Sequence, residues 1–348
     1  MDNQVIEKLQ QMNHDKKLPF AFDNEKIKII SDKGQNYAIK AGAKLIRVPK
    51  DTHSQSWKDL LREKEISKML KSQNLQTKTS EVYTFSNEDI SFAYHDMVPG
   101  DILEGKKGEE LYTQLTEEQK NLLAGDLAVF FAELHQIPLD NLNDIPPYGA
   151  EKISYDYEKR PDFDYVKNKK HLDKFGINLD EFRTPITEDK VFCHNDLHGG
   201  NLAIDPEKEH VLNGIFDFGN ADINDRSVDF IKICAVDRNL ARKTLKEYNK
   251  ITGANVSMKE VDYQYLNWIS ASIEKFSQKQ LTEEQQQKVF HQFSHDLNMF
   301  RVDVLKEKIN RRDERLSHNP QVPFNSTSFK EIDSASLKMM GEKAFNRD

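Results

Sequence analysis

Residues 191–230, VFCHNDLHGGNLAIDPEKEHVLNGIFDFGNADINDRSVDF, decide how this chain is read. His194 and Asp196 stand two apart, Asn201 follows five residues after the Asp, and Asp217-Phe218-Gly219 comes later. Between them, residues 201–205 and 210–216 are short apolar-rich runs around Asp205-Pro206-Glu207-Lys208-Glu209. Apolar runs flanking a polar, Pro-containing segment predict a hairpin. A hairpin of that length returns Asn201 and Asp217 to the same end. There an amide oxygen and a carboxylate can share one hard cation, which prefers oxygen ligands.

An H-x-D-x-x-x-x-N loop followed by D-F-G is the catalytic pattern of phosphoryl transfer. That chemistry asks the protein mainly to position groups and to stabilise charge. Asp196 is the candidate carboxylate beside an acceptor hydroxyl, and Asn201 and Asp217 are the candidate ligands for magnesium. Either motif alone is weak; the two in order, with a hairpin between them, define a kinase-type site.

The chain has 348 residues and a net charge of −8, enough length for about two domains. The acidic balance argues against nucleic acid as a partner and suits a cationic substrate and ordinary solubility equally. Its two cysteines, Cys193 and Cys234, have neither metal nor redox spacing, as in a reducing cytoplasm. The polar N-terminus shows no signal peptide, and no apolar run approaches the ~20 residues that span a membrane. A soluble cytoplasmic monomer without membrane contact is expected.

Strands are predicted at 26–31, 36–41, 44–48, 82–86 and 91–95, with helices at 5–12 and 55–73. Thr116-Glu117-Glu118-Gln119 is a capping box, and Leu123, Leu127, Phe130, Phe131 and Leu134 follow at helical spacing. Helical segments are predicted near 227–253, 258–278 and 283–315, the last opening with a second box at 282–285. Pro, Asn and Ser crowd the sequence beyond Asn319. The expected division is an N-terminal nucleotide-binding lobe at 1–98, a catalytic and substrate lobe at 99–318, and a poorly ordered tail at 319–348.

With these pieces in order, the chain resembles the aminoglycoside phosphotransferase and choline kinase superfamily from about Lys26 to Gly253. AGDLAVFFAELHQI (124–137) is similar to the helix before that family's catalytic loop. GIFDFGNADINDRSVDF resembles the bacterial aminoglycoside 2''-phosphotransferases most, while FCHNDL is equally close to choline kinases. The resemblance implies an α+β, bilobal protein-kinase-like fold, with a small antiparallel-sheet N-terminal lobe and a larger mainly helical C-terminal lobe. It also implies Mg2+-dependent transfer of the γ-phosphoryl group of ATP or GTP to a hydroxyl of a small, cationic acceptor, an aminoglycoside or another amino alcohol.

Carried over residue by residue, Asp196 becomes the catalytic base and His194 the support of its loop. Asn201 and Asp217 hold magnesium, Glu63 is the helix glutamate, and backbone groups near Asp96 and Val98 face the nucleobase. The family's third strand usually ends in Lys; here KLIRVPK puts Arg47 there, with Lys44 ranked below it. Arg keeps the charge but is forked and longer, so the exchange is not neutral. Gly34 is nearly alone where protein kinases have a glycine-rich loop, and no A-P-E segment follows Asp217. These departures argue against a protein kinase. A choline- or ethanolamine-type metabolite kinase and a non-catalytic binding protein of the same fold are the rival readings.

Other polar residues have plainer readings. His198 is expected to be a loop residue, not half of a zinc pair. Asp222 and Asp225 are expected as caps or scaffold, with Asp229 tying its helix to the catalytic loop. Glu133 and His135 read as structural. Asp262, Glu274 and Asp296 are candidate contacts for a cationic acceptor, though each fits a solvated face better. Tyr263, Tyr265 and Trp268 read as core, with Trp268 also able to line the cleft. The run 306–315 alternates in sign, as a solvated helix does.

Overall fold

Alternating burial along three consecutive strands builds the N-terminal sheet. The structure, a computed structural model, describes residues 2–32, 35–51, 55–146, 164–184, 189–277, 282, 293 and 296–308. Helix α1 (Asp2–His14) precedes β1 (Ile27–Ser31), β2 (Asn36–Ala41), β3 (Lys44–Pro49), α2 (Gln55–Ser72), β4 (Tyr83–Ser86) and β5 (Ser91–Asp96). The five strands pair antiparallel in the order β1-β2-β3-β5-β4. Gly42, at a positive φ of 63°, makes the tight turn between β2 and β3, a conformation that costs other residues more.

Side chains on a strand alternate between faces. Ile46 and Val48 of β3 therefore join Ile39 and Phe92 under α1, which contributes Leu9 and Met12. Arg47 has the opposite parity, and its cross-strand neighbour Ala93 packs with Leu60 of α2 and Val82. The strand pattern thus aims Arg47 at α2. Lys44 lies on the other parity and pairs with Asp96 at 2.8 Å.

The second part of the chain comprises β6 (Asp101–Ile102), α3 (Gly105–Gln114), α4 (Glu117–His135), α5 (Tyr165–Asp173), β7 (Lys190–Cys193), β8 (Leu202–Ile204), β9 (Leu212–Ile215), β10 (Asp222–Asp225), α6 (Val228–Val236), α7 (Arg238–Thr252) and α8 (Met258–Ser277). Residues 296–308 are also helical. The hairpin expected between the two motifs is present: β8 and β9 pair antiparallel with Leu202 opposite Ile215, and β6 joins through β8. A second small sheet pairs β7 with β10.

Both hydrogen bonds of the Thr116 capping box form, at 3.1 and 2.9 Å. All five apolar residues marked on α4 are fully buried. Burying each such side chain contributes roughly 1.5–3 kcal/mol. Phe130 and Phe131 meet Phe218 and Phe230, so α4 is the floor beneath the catalytic segment. The helical stretch expected at 227–253 is two helices. Asp237 between them is extended, and its carboxylate accepts from the Leu240 amide at 2.6 Å, starting α7 as an N-cap.

The architecture is the expected one, mixed helix and sheet in two lobes. The second capping box, the side chain of Glu274, Gly34, residues 309–315 and the segment after Asn319 lie outside the described residues. No helix among the described residues is long and apolar enough to cross a membrane.

Candidate active site

The catalytic loop leaves β7 through a backbone conformation that the sequence must tolerate. Asn195 has φ 65°, a left-handed value to which Asn is better suited than most residues. The turn is held from below by Asp229 of α6, buried at 1% exposure. Its two oxygens accept from the backbone amides of His194 (3.0 Å) and Asn195 (2.7 Å). Oδ2 also meets His135 Nε2 at 3.0 Å. Arg226 donates to the Tyr248 hydroxyl (2.7 Å), so that hydroxyl donates to His135 Nδ1 (2.8 Å) and leaves Nε2–H for Asp229. The expected tie between α6 and the loop is therefore made, and His135 reinforces it.

His135, Cys193 and Asp229 bring one potential ligand atom each within 4.8 Å of one another. His135 and Asp229 are committed to hydrogen bonds, and burial pushes the Cys193 thiol well above its ordinary value. This cluster is loop scaffolding.

His194 is fully buried, and its ring completes the loop. Nε2–H donates to the Phe216 carbonyl (3.2 Å), and Nδ1 accepts from the Asp196 amide (3.3 Å). The ring rests on Phe218, centroid to centroid 4.6 Å. His198 accepts from the Gly200 amide at 3.0 Å and acts as the loop residue expected. Asn201 donates Nδ2–H to the Asp196 carbonyl (2.9 Å), which leaves its amide oxygen as the atom able to meet a cation. The Phe216 amide donates to the Asn201 carbonyl (3.1 Å), so the hairpin brings Asn201 beside Asp217. Asp217 adopts φ 66°, ψ 62°, and its side chain is 46% exposed.

Arg47 bridges the two lobes. It donates to Asp217 Oδ1 at 3.1 Å and pairs with Glu63 Oε2. Burial pushes the Glu63 carboxyl up to about 7, against the pull of Arg47 and with help from Asp217. Two buried atoms of this pair, Arg47 Nε and Glu63 Oε1, have no hydrogen-bond partner. An unpaired guanidinium N–H suits a phosphate oxygen. At the hinge, the Asp96 carbonyl accepts from His95 Nδ1 (2.8 Å). The Met97 amide donates to the Ala43 carbonyl (2.8 Å). No hydrogen bond involving the Val98 backbone occurs among the described residues.

Asp196 is 26% exposed at its side chain, and each oxygen has a neighbour. Asn220 Nδ2 donates to Oδ2 at 3.1 Å, and Lys232 Nζ lies 3.6 Å from Oδ1. Lys232 also lies 3.9 Å above the centroid of the Trp268 ring. Sequence reasoning missed Lys232 and Asn220. The signal for Lys232 was present: it is the one cation in VDFIKICAV of α6, where Asp229 is the only other charged residue.

Of the remaining acidic candidates, Asp262, Asp225 and Asp222 face cationic side chains, and the Glu274 side chain lies outside the described residues. Asp262 is no acceptor contact: it accepts twice from Arg238, at 2.8 and 2.6 Å, and Arg238 also binds Glu307. Asp225 pairs with Lys190 across the small sheet (2.8 Å) and is not a helix cap, and Asp222 lies 3.8 Å from Arg62. Tyr263 and Tyr265 are core, while Trp268 is half-buried. Asp296 is half-buried; burial raises the Tyr265 phenol, and the Asp296 charge adds to that rise.

A lobe-bridging Arg, a braced catalytic-loop carboxylate and a D-F-G aspartate are the parts of a phosphotransferase. The chain belongs to the phosphotransferase enzyme family (APH), whose profile matches residues 26–259 and so spans Arg47, Glu63, the catalytic loop, Asp217 and Lys232. It is a phosphotransferase. Among solved structures, the GDP complex of aminoglycoside 2'-phosphotransferase-IIIa is similar, at 17% identity and TM-score 0.62. That match covers 85% of this chain and 98% of the other. ADP-bound aminoglycoside phosphotransferase APH(2'')-Ib matches at 18% identity and TM-score 0.55, over 84% and 98% of the two chains. Macrolide 2'-phosphotransferase MphH from Brachybacterium faecium matches at 13% identity and TM-score 0.52, over 82% and 97%. At these identities the likeness establishes a shared fold.

Proposed function

We propose that this protein transfers the γ-phosphoryl group of ATP or GTP to a hydroxyl of an aminoglycoside-like small molecule, with Asp196 facing the acceptor. The observation that carries this reading is the bracing of Asp196. Its backbone is fixed through His194 and Asn201 and its carboxylate through Asn220. A carboxylate so placed can orient a hydroxyl and accept its proton as the oxygen attacks phosphorus, while the bond from the γ-phosphorus to its bridging oxygen breaks.

Magnesium fits the donor set, a hard amide oxygen from Asn201 and a carboxylate from Asp217. When bound, it would neutralise phosphate charge and orient the transferring group. Arg47, with its unpaired Nε, is the residue suited to the nucleotide phosphates, and the backbone near Asp96 and Val98 to the base. Glu63 holds Arg47 in position.

The acceptor side favours amino groups remote from the reacting hydroxyl. The charge nearest Asp196 is the cation Lys232, and one face of Trp268 already carries that ammonium. A quaternary ammonium recognised through an aromatic face would compete with Lys232 for that surface. Choline and ethanolamine, whose cation lies two carbons from the hydroxyl, fit this less well than a larger polyol.

The test is ADP and GDP release with Mg2+ across a panel of aminoglycosides, choline and ethanolamine, with Asp196→Asn as control. Acceptor-dependent release should fall by about 10²–10⁴-fold in that variant, the usual worth of a general base. Silence with every acceptor, together with no rise in melting temperature on adding either nucleotide, would sink the proposal in favour of a non-catalytic protein.

A further inference from the structure

Lysine is almost never buried without a partner, because desolvating an ammonium is costly. Lys232 keeps only 15% of its side chain exposed, and burial lowers its ammonium below the ordinary range. Its helix neighbours Phe230, Ile231, Ile233 and Cys234 are core residues. Long cationic side chains in such a setting usually extend their heads to water. This one lies on Trp268 and points its charge at Asp196 Oδ1.

Helix α6 thus delivers two opposite charges to one loop. Asp229 and Lys232 are three residues apart and share a helix face. Asp229 holds the loop backbone through the amides of residues 194 and 195, and Lys232 faces the side chain of residue 196. The 3.6 Å separation is an ion-pair distance longer than a hydrogen bond, so Oδ1 keeps a lone pair for an acceptor hydroxyl. Lys232 also opposes the repulsion between the carboxylate and an anionic phosphoryl group.

We propose that Lys232, seated on Trp268, is a positioning residue for Asp196, orienting its carboxylate and offsetting its charge during phosphoryl transfer. The inference rests on the reading of Asp196 as the acceptor-facing carboxylate.

The experiment compares Lys232→Met, Lys232→Arg, Asp196→Asn and the Lys232→Met/Asp196→Asn double variant. Nucleoside diphosphate release is measured with Mg-ATP and Mg-GTP, with kanamycin and with water as acceptors. In Lys232→Met, kcat should fall about 10- to 100-fold with nucleotide KM held within about 3-fold, as when one preorganised charge is lost. Lys232→Arg should recover most of that loss. The double variant should be no slower than Asp196→Asn alone, because a residue acting through Asp196 has nothing left to position. Trp268→Leu should cost a smaller factor, and it carries the test if Lys232→Met does not fold by thermal melting.

Three outcomes overturn the proposal: kcat within about 2-fold of wild type in Lys232→Met, a loss confined to acceptor KM, or losses that multiply in the double variant. A slow Asp196→Asn beside a fully active Lys232→Met refutes the role of Lys232 alone. An active Asp196→Asn, or a wild-type protein silent with both acceptors, removes the catalytic reading and this proposal with it.

Discussion

At the catalytic loop, buried Asp229 meets two backbone amides and a histidine, and His194 uses both ring nitrogens. Across the cleft, Glu63 is just as buried and Arg47 is half-buried, yet each has a buried polar atom with no partner, and the Glu63 carboxyl is raised to about 7. Both regions bury charge, but the first satisfies it and the second does so incompletely. Leaving a buried polar group unpaired costs about 1–3 kcal/mol. The loop is therefore a preorganised element, whereas the Arg47–Glu63 pair keeps hydrogen-bonding capacity that its own partners do not fill.

Breaking the satisfied network should have the largest effect. Asp229→Ala removes the shared acceptor of the His194 and Asn195 amides and leaves them buried. It should lower stability by about 3–5 kcal/mol, as loss of one partner in a buried charged network does. Urea unfolding would check this, and a loss under about 1 kcal/mol would mean that the loop is held otherwise. Turnover should fall with it, because Asp196 follows directly on the two amides.

The cleft opposite is sharpened by Arg47→Lys. An ammonium cannot bridge Glu63 and Asp217 as the fork does. The variant should remain folded and lose about 10-fold in kcat/KM for the nucleotide, on the scale of one charge-assisted hydrogen bond. Unchanged nucleotide kinetics would show that the fork is not used there.

His95, buried beside the same cluster, gives a pH test. Burial, reinforced by Arg47, lowers its pKa from 6.5 to about 4. The unfolded chain takes up that proton first, so the wild type should lose stability as pH falls from about 6.5 to about 4. His95→Gln should flatten that part of the profile, as read by melting temperature across the range. Parallel profiles would mean that His95 does not titrate as described. The smallest effect belongs to Lys44→Ala. Its partner Asp96 is largely exposed, so the pair should be worth under about 1 kcal/mol. A larger loss in urea unfolding would place the hinge among the tightly coupled regions.

The strands from residue 27 to 96, the capping box of α4 and the hairpin between the motifs were legible because each rests on local periodicity or turn chemistry. The parity of β3 even selected Arg47 over Lys44. Less was legible where one polar residue chooses among distant partners. Asp262 was a candidate for binding an acceptor until Arg238 claimed both its oxygens. Asp225, expected as a cap or scaffold residue, is scaffold, and its partner Lys190 lies 35 residues away. Lys232 lies in a mostly apolar helix, and nothing local connects it with Asp196, 36 residues earlier in the chain.

By itself, the sequence determined the order of Asp196, Asn201 and Asp217 and the elements that carry them, because spacing, alternation and capping act over a few residues. The tertiary structure alone decided which charges are consumed by partners and which face the cleft. Burial makes the cost of an unpaired charge depend on what lies within a few ångströms, and that neighbourhood is assembled from remote parts of the chain.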